Sequence, residues 1–134
     1  MAEVRSPAVA GSFYPRDAKS LRVAVRDHLE AERGALRSST SWPKALIVPH
    51  AGYVYSGAIA ARAYLALEPG AEVVRRVVLV GPSHRVAFEG LAVPTCGAFA
   101  TGLGPVPIDA SAREQVLSLP FVRSRDDAHR DEHS

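Results

Sequence analysis

The chain has 134 residues, 47% hydrophobic and 22% charged, a balance that suits one soluble globular domain spanning 1–134 and excludes a disordered or collagen-like chain. Its 16 basic and 14 acidic residues leave a net charge of +2, and the basic residues are scattered, so no nucleic-acid partner is expected. No apolar stretch approaches the roughly 18 residues that span a bilayer, the N-terminus lacks a signal-peptide layout, and the single cysteine, Cys96, has no internal partner; these predict a cytoplasmic protein with no membrane partner.

In chain order, residues 6–15 are bracketed by prolines and carry no helical period, which predicts an extended arm packed by Val9, Phe13 and Tyr14. A helix follows, with Asp17 as N-cap, Leu21, Val25 and Leu29 at i, i+4, i+8, and Gly34 as the stop. Residues 34–43 read as a polar loop. Lys44 to Pro49 has a continuous apolar run, the pattern of a strand covered on both faces. Ser56 is placed to cap a second, alanine-rich helix running to about Leu67, ended by Pro69-Gly70, and Val73 to Val80 contains a second strand. Strand, helix and strand in so short a span predict a right-handed crossover with parallel strands near 44–49 and 76–81. Dense prolines and glycines from Gly90 to Ile108 predict short strands at Leu91 to Val93, Phe99 and Val106 to Ile108. Asp109 should cap a helix through Leu117, and Val122 should begin another strand. The tail from Arg123 is almost wholly charged or polar. The fold class is therefore α/β, a mostly parallel or mixed sheet with flanking helices.

Each of the two apolar runs ends on a histidine, in Pro49-His50-Ala51-Gly52-Tyr53 and Gly81-Pro82-Ser83-His84. If both runs are parallel strands, both imidazoles emerge at the carboxyl edge of one sheet, where open α/β folds place ligands. Two imidazoles so placed can converge on one ion; zinc, iron and copper all accept such ligands. His133, in Asp131-Glu132-His133-Ser134, is a second candidate for the site, whereas His129 reads as solvated. His28 falls beside the Leu21/Val25 stripe and reads as a half-buried helix-face imidazole. Tyr53 and Tyr55 flank the first histidine loop and can line a pocket or pack the loop. A serine hydrolase would use Ser83 or Ser56 with His50 or His84, but the nucleophile-elbow motif Gly-x-Ser-x-Gly is absent. Cys96 reads as a small buried residue.

Six stretches taken together carry a family resemblance: Pro7-Ala8-Val9-Ala10-Gly11-Ser12-Phe13-Tyr14-Pro15, Val48-Pro49-His50-Ala51-Gly52-Tyr53, Tyr55-Ser56-Gly57, Leu79-Val80-Gly81-Pro82-Ser83-His84, Leu103-Gly104-Pro105-Val106-Pro107-Ile108-Asp109 and Glu132-His133-Ser134. With these the chain resembles the Memo-like family, whose bacterial members are called AmmeMemoRadiSam system protein B. That family is similar to class III extradiol dioxygenases, so the resemblance implies the N-terminal half of an extradiol-dioxygenase-like α/β fold with a non-haem metal site at strand ends. It implies His50 and His84 as metal ligands for a divalent ion, iron foremost and zinc or copper compatible. The third ligand, a cysteine in animal members, belongs to the family's second half, and Cys96 does not match it. Gly102 departs from the family, where many members have proline.

The expectation is a metal-dependent oxidoreductase, dioxygenase-like, acting on a small molecule that the sequence does not name. The alternative is a non-catalytic binding or adaptor protein that uses the same pocket for a peptide. A sheet patterned for a longer domain also predicts self-association through an exposed edge.

Overall fold

The fold is described from a computed structural model for residues 3–35 and 40–133. Residues 36–39 of the loop expected over 34–43, and Ser134 of the terminal Glu-His-Ser motif, lie outside the described residues. Two compact units emerge, one formed by Ala10–Val78 and the other by Met1–Val9 with Leu79–Ser134. The architecture is mixed α/β, with short parallel and antiparallel strands and flanking helices.

In the Ala10–Val78 unit the proline-bracketed arm turns back on itself, Ala10 bridging to Tyr14 and the Gly11 N–H donating to the Tyr14 carbonyl at 2.8 Å. Gly11 takes a φ of 91°, a value that favours glycine because a Cβ clashes there. Helix α1 spans Ala18–Arg33; the Asp17 side chain accepts the Ser20 N–H at 2.8 Å, which satisfies one of the donors that every helix start leaves open. That bond favours the carboxylate form and draws the Asp17 pKa below its ordinary value. Leu21 is buried on the apolar stripe, with Val25 and Leu29 half-buried.

Helix α2 spans Tyr53–Leu65 and packs on α1. Its N-cap is Gly52, not Ser56 as expected from sequence. The Tyr53 N–H is already met by the Phe13 carbonyl at 2.8 Å, which lets the helix begin earlier; Ser56 then lies in the first turn and donates back to the Ala51 carbonyl at 2.6 Å. Ala61 and Leu65 on α2 are buried with Leu21. The Arg33 guanidinium forks onto Glu68 at 2.6 and 2.8 Å, and Arg62 reaches Glu32 at 2.6 Å. These surface pairs orient the helices more than they stabilise them, because water and salt screen exposed charges.

Close approach of the two helices depends on a missing side chain. A Cβ added at Gly57 would lie 2.5 Å from His28 Nε2, and the His28 ring stands edge-on to Tyr53 with centroids 5.9 Å apart. Helix propensity alone favours alanine over glycine by about 1 kcal/mol. Overpacking against the imidazole reverses the sign: Gly57→Ala should lower stability by about 1–3 kcal/mol in thermal unfolding, and adding His28→Ala should recover most of the loss. An unchanged melting temperature for the single variant would show that the ring swings aside freely.

In the other unit, β1 (Val4–Arg5) pairs in parallel with β3 (Ala98–Thr101), and β3 pairs antiparallel with β4 (Gly104–Pro107). A second sheet joins β2 (Leu91–Val93) and β5 (Val122–Ser124) in parallel. Helix α3 (Ala110–Leu117) starts on Asp109, whose carboxylate accepts the Ala112 N–H at 2.9 Å, and a single turn, α4, covers Asp127–Arg130. Cys96, Val122 and Ala128 form the buried apolar centre of this unit. Gly90 leads into β2 with a φ of 87°, and the Leu91 N–H that follows donates to the Phe121 carbonyl at 2.9 Å.

The parallel strands expected near 44–49 and 76–81 are not formed: neither segment belongs to a ladder. Ile47 is fully exposed, and Val77 to Val80 are 71–82% exposed. An apolar run becomes a strand only where a neighbour accepts and donates its backbone hydrogen bonds and layers cover its faces. Without those, the runs stay irregular.

His129, expected as a solvated tail residue, is instead half-buried, with Nε2 donating to the Ala92 carbonyl at 3.2 Å and its ring 6.0 Å from Phe99. Burial, aided by the nearby Arg5 charge, pushes its pKa down, while the Ala92 contact and Asp126 pull the other way. An imidazole whose folded pKa is depressed takes up its proton more readily when unfolded, so stability is full above about pH 6.5 and declines as pH falls through the folded value. Chemical denaturation at stepped pH should show that slope, flattened in His129→Gln.

Candidate metal centre

The terminal motif contributes a buried anion. Glu132 is 7% exposed, and both of its carboxylate oxygens are engaged by the two histidine segments. Oε2 accepts the His84 backbone N–H at 2.5 Å; Oε1 lies 2.8 Å from His84 Nδ1, 3.2 Å from His133 Nδ1, and accepts the His133 backbone N–H at 2.8 Å. The Glu132 carbonyl in turn accepts from Arg5 Nη2 on β1. One carboxylate thus fastens the Gly81-Pro82-Ser83-His84 loop to the chain after α4, although the two are 48 residues apart.

This arrangement sets the chemistry of both rings. An ionised carboxylate only accepts, so Nδ1 of each neutral imidazole must be the protonated nitrogen and Nε2 carries the lone pair. A carboxylate on the far nitrogen of a metal-ligating imidazole fixes its tautomer and raises its basicity. The two rings are stacked, with centroids 4.3 Å apart and planes at 29°, and their ligand nitrogens lie within 4.8 Å of each other. Bonds of about 2.0–2.1 Å from each imidazole can therefore meet on one ion. His84 is partly exposed and His133 half-buried, so the pair combines a fixed base with an open approach.

His50 belongs to the other unit, where it is exposed and sits just ahead of the Gly52 cap of α2. Tyr53 is half-buried, 5.7 Å from the Tyr14 ring and edge-on to His28, and burial raises its pKa. Its surroundings are those of a packing residue. Tyr55 is 84% exposed. The Ser83 hydroxyl donates to the Val86 carbonyl at 2.7 Å and Ser56 to Ala51, so both serines are committed to backbone turns, which leaves the hydrolase reading without support. Cys96 is buried as expected.

Sequence reasoning missed Glu132. Its position beside His133 was the available signal, but the charged composition of the tail made solvation the simpler expectation, and no local pattern links it to His84.

The sequence pattern described as Memo-like protein matches residues 5–134. A MEMO1 family protein of Aquifex aeolicus is 38% identical over 131 residues, which is 98% of this chain and 46% of that relative. Others from Methanothermobacter thermautotrophicus and Thermococcus onnurineus are each 37% identical over 98% of this chain, covering 49% and 44% of their own lengths. The chain spans about half the length of the curated relatives it matches.

Proposed function

The chain belongs to the Memo-like protein family, and from that premise we propose that it is a metal-binding protein whose ion is held by His50, His84 and His133. The observation that carries the reading is the buried Glu132 carboxylate shared by the Nδ1 atoms of His84 and His133, an outer-shell device that disposes both Nε2 atoms toward a ligand. The support for His50 is its motif, Pro49-His50-Ala51-Gly52-Tyr53, one of the six that carry the family resemblance. Iron is the metal this reading favours, by kinship with extradiol dioxygenases.

A bound divalent ion would supply Lewis-acid polarisation and, if iron, redox activation of a small substrate or dioxygen. The chain's own contribution is orientation: Glu132 holds the Nδ1 protons, Arg5 fixes Glu132 through its carbonyl, and the exposed edge of His84 leaves the approach open to a small molecule. The reading includes a cytoplasmic location, for which the single buried thiol is the support.

The test is metal content by plasma mass spectrometry together with calorimetric titration of Fe(II) and Zn(II). His84→Ala and His50→Ala should each weaken binding at least tenfold, while His28→Ala should leave it unchanged. Stoichiometric metal retained by the His50→Ala, His84→Ala double variant would overturn the assignment. A second reading, a non-catalytic binding protein, draws on the exposed apolar run Val77 to Val80 and on Ile47, which offer a peptide or a second copy of the chain apolar segments outside any ladder to pack against.

A further inference from the structure

The unit formed by Met1–Val9 and Leu79–Ser134 carries a half-open cavity of about 450 Å³ whose lining includes none of His50, His84 and His133. Its size falls within the range of small-molecule sites. Its wall carries Arg5 and Arg130 as cations, Glu3 and Asp126 as anions, with His129 and the buried Cys96 between them. Opposite charges on one wall cancel formally, so a multiply charged anion gains no net attraction there. A ligand bearing one charge of each sign gains at both ends.

Arg5 supplies the sharper observation. Its Nη2 donates to the Glu132 carbonyl and its guanidinium lies over the Phe99 ring at 4.7 Å, yet its Nε is buried without a hydrogen-bond partner. It is the one such side-chain atom among the described residues. A buried charged donor left unsatisfied is strongly disfavoured, and a carboxylate oxygen is the acceptor that suits a guanidinium best. Asp126 cannot turn toward Arg5 without loss, since its two oxygens accept from the Thr95 N–H at 2.7 Å and the Thr95 hydroxyl at 2.6 Å.

We propose that this cavity binds a small zwitterionic carboxylate of amino-acid type, its carboxylate on Arg5 Nε and Arg130 and its ammonium facing Glu3 and Asp126. The neutral state of His129, favoured by burial and by the nearby Arg5 charge, keeps the wall from becoming net cationic. Because Arg5 also holds the Glu132 carbonyl, occupancy of the cavity bears on the residue that orients His84 and His133.

The experiment is NMR of the arginine Nε–H region on the intact 134-residue chain, with the Arg5 signal assigned by its absence in Arg5→Lys. The probes are β-alanine, propionate, propionamide and inorganic phosphate. The expected result is a saturable shift of the Arg5 Nε–H with β-alanine, roughly tenfold weaker binding of propionate, and no saturable shift with propionamide or phosphate. Arg5→Lys, which keeps the charge and loses the Nε donor, should weaken β-alanine about tenfold. Since Arg5 also packs on Phe99, the exposed Arg130→Ala provides a variant that leaves the fold intact, and several-fold weaker binding is expected there. Absence of a shift with β-alanine, propionamide binding as well as β-alanine, or unchanged affinity in Arg130→Ala would overturn the proposal. Phosphate binding as tightly as β-alanine would overturn it in favour of a simple anion site.

Discussion

Replacing Glu132 by alanine is expected to lower metal affinity by about 10–100-fold, as large an effect as loss of many direct ligands, although the carboxylate itself touches no metal. Four contacts vanish together: the backbone N–H and Nδ1 of His84, and the same two groups of His133. The rings lose the acceptor that sets their tautomer, and two main-chain donors lose their partner, which adds about 1–3 kcal/mol of destabilisation. Glu132→Gln is the finer probe, because the amide oxygen retains one acceptor while the negative charge is lost; an intermediate affinity is expected. Calorimetric titration gives the affinities, and ¹⁵N spectra of the imidazoles read the tautomers directly. A protonated Nδ1 that persists in both rings of Glu132→Ala, with affinity unchanged, would show that the carboxylate does not organise the site.

Gly90→Ala should destabilise the chain by about 3 kcal/mol or more, the largest loss expected from adding a single methyl group. Two penalties coincide. The backbone sits at a φ of 87°, where an L side chain is strained, and the added Cβ would fall onto the Phe121 carbonyl oxygen, a backbone atom that cannot rotate away as a side chain can. That carbonyl accepts the Leu91 N–H, and the contact opens the β2–β5 pairing in which Leu91, Ala92 and Val93 face Val122, Arg123 and Ser124. Backbone hydrogen exchange should then accelerate first across these six residues. A variant that melts with the wild-type chain and keeps their protection would refute the account. The contrast with Gly57 is instructive, since there the obstacle is an imidazole that a second substitution can remove.

Features set by neighbouring residues were legible in the sequence. Asp17 and Asp109 begin helices because a carboxylate three residues ahead of an open N–H suffices, and Leu91 to Val93 was legible from its flanking glycine and proline. Ser56 misled because what starts α2 is the Phe13 carbonyl, a partner no local window contains. The apolar runs at 44–49 and 76–81 misled for the same reason in reverse: their pattern specifies burial on two faces, but a strand also needs a ladder partner. At the candidate site, His84 was singled out at the end of the second apolar run and His133 within the terminal motif. Glu132 was not, because its importance arises from a contact across 48 residues, and the place of Arg5 beneath it from one across 127.

That last separation has a consequence for the order in which the protein is made. The helical pair α1 and α2 is encoded without interruption and can associate as soon as it leaves the ribosome. By contrast β1, at the very start, must wait for β3, and Arg5 must wait for residue 132. At 5–20 residues per second, the 127 intervening positions correspond to a delay of roughly 6–25 s. Throughout that interval the first segment has neither its strand partner nor its carbonyl acceptor, and the carboxylate that orders the imidazoles does not yet exist. The two imidazoles are therefore ordered well after the helical pair, since the carboxylate that both of them meet is supplied only once residue 132 has been made.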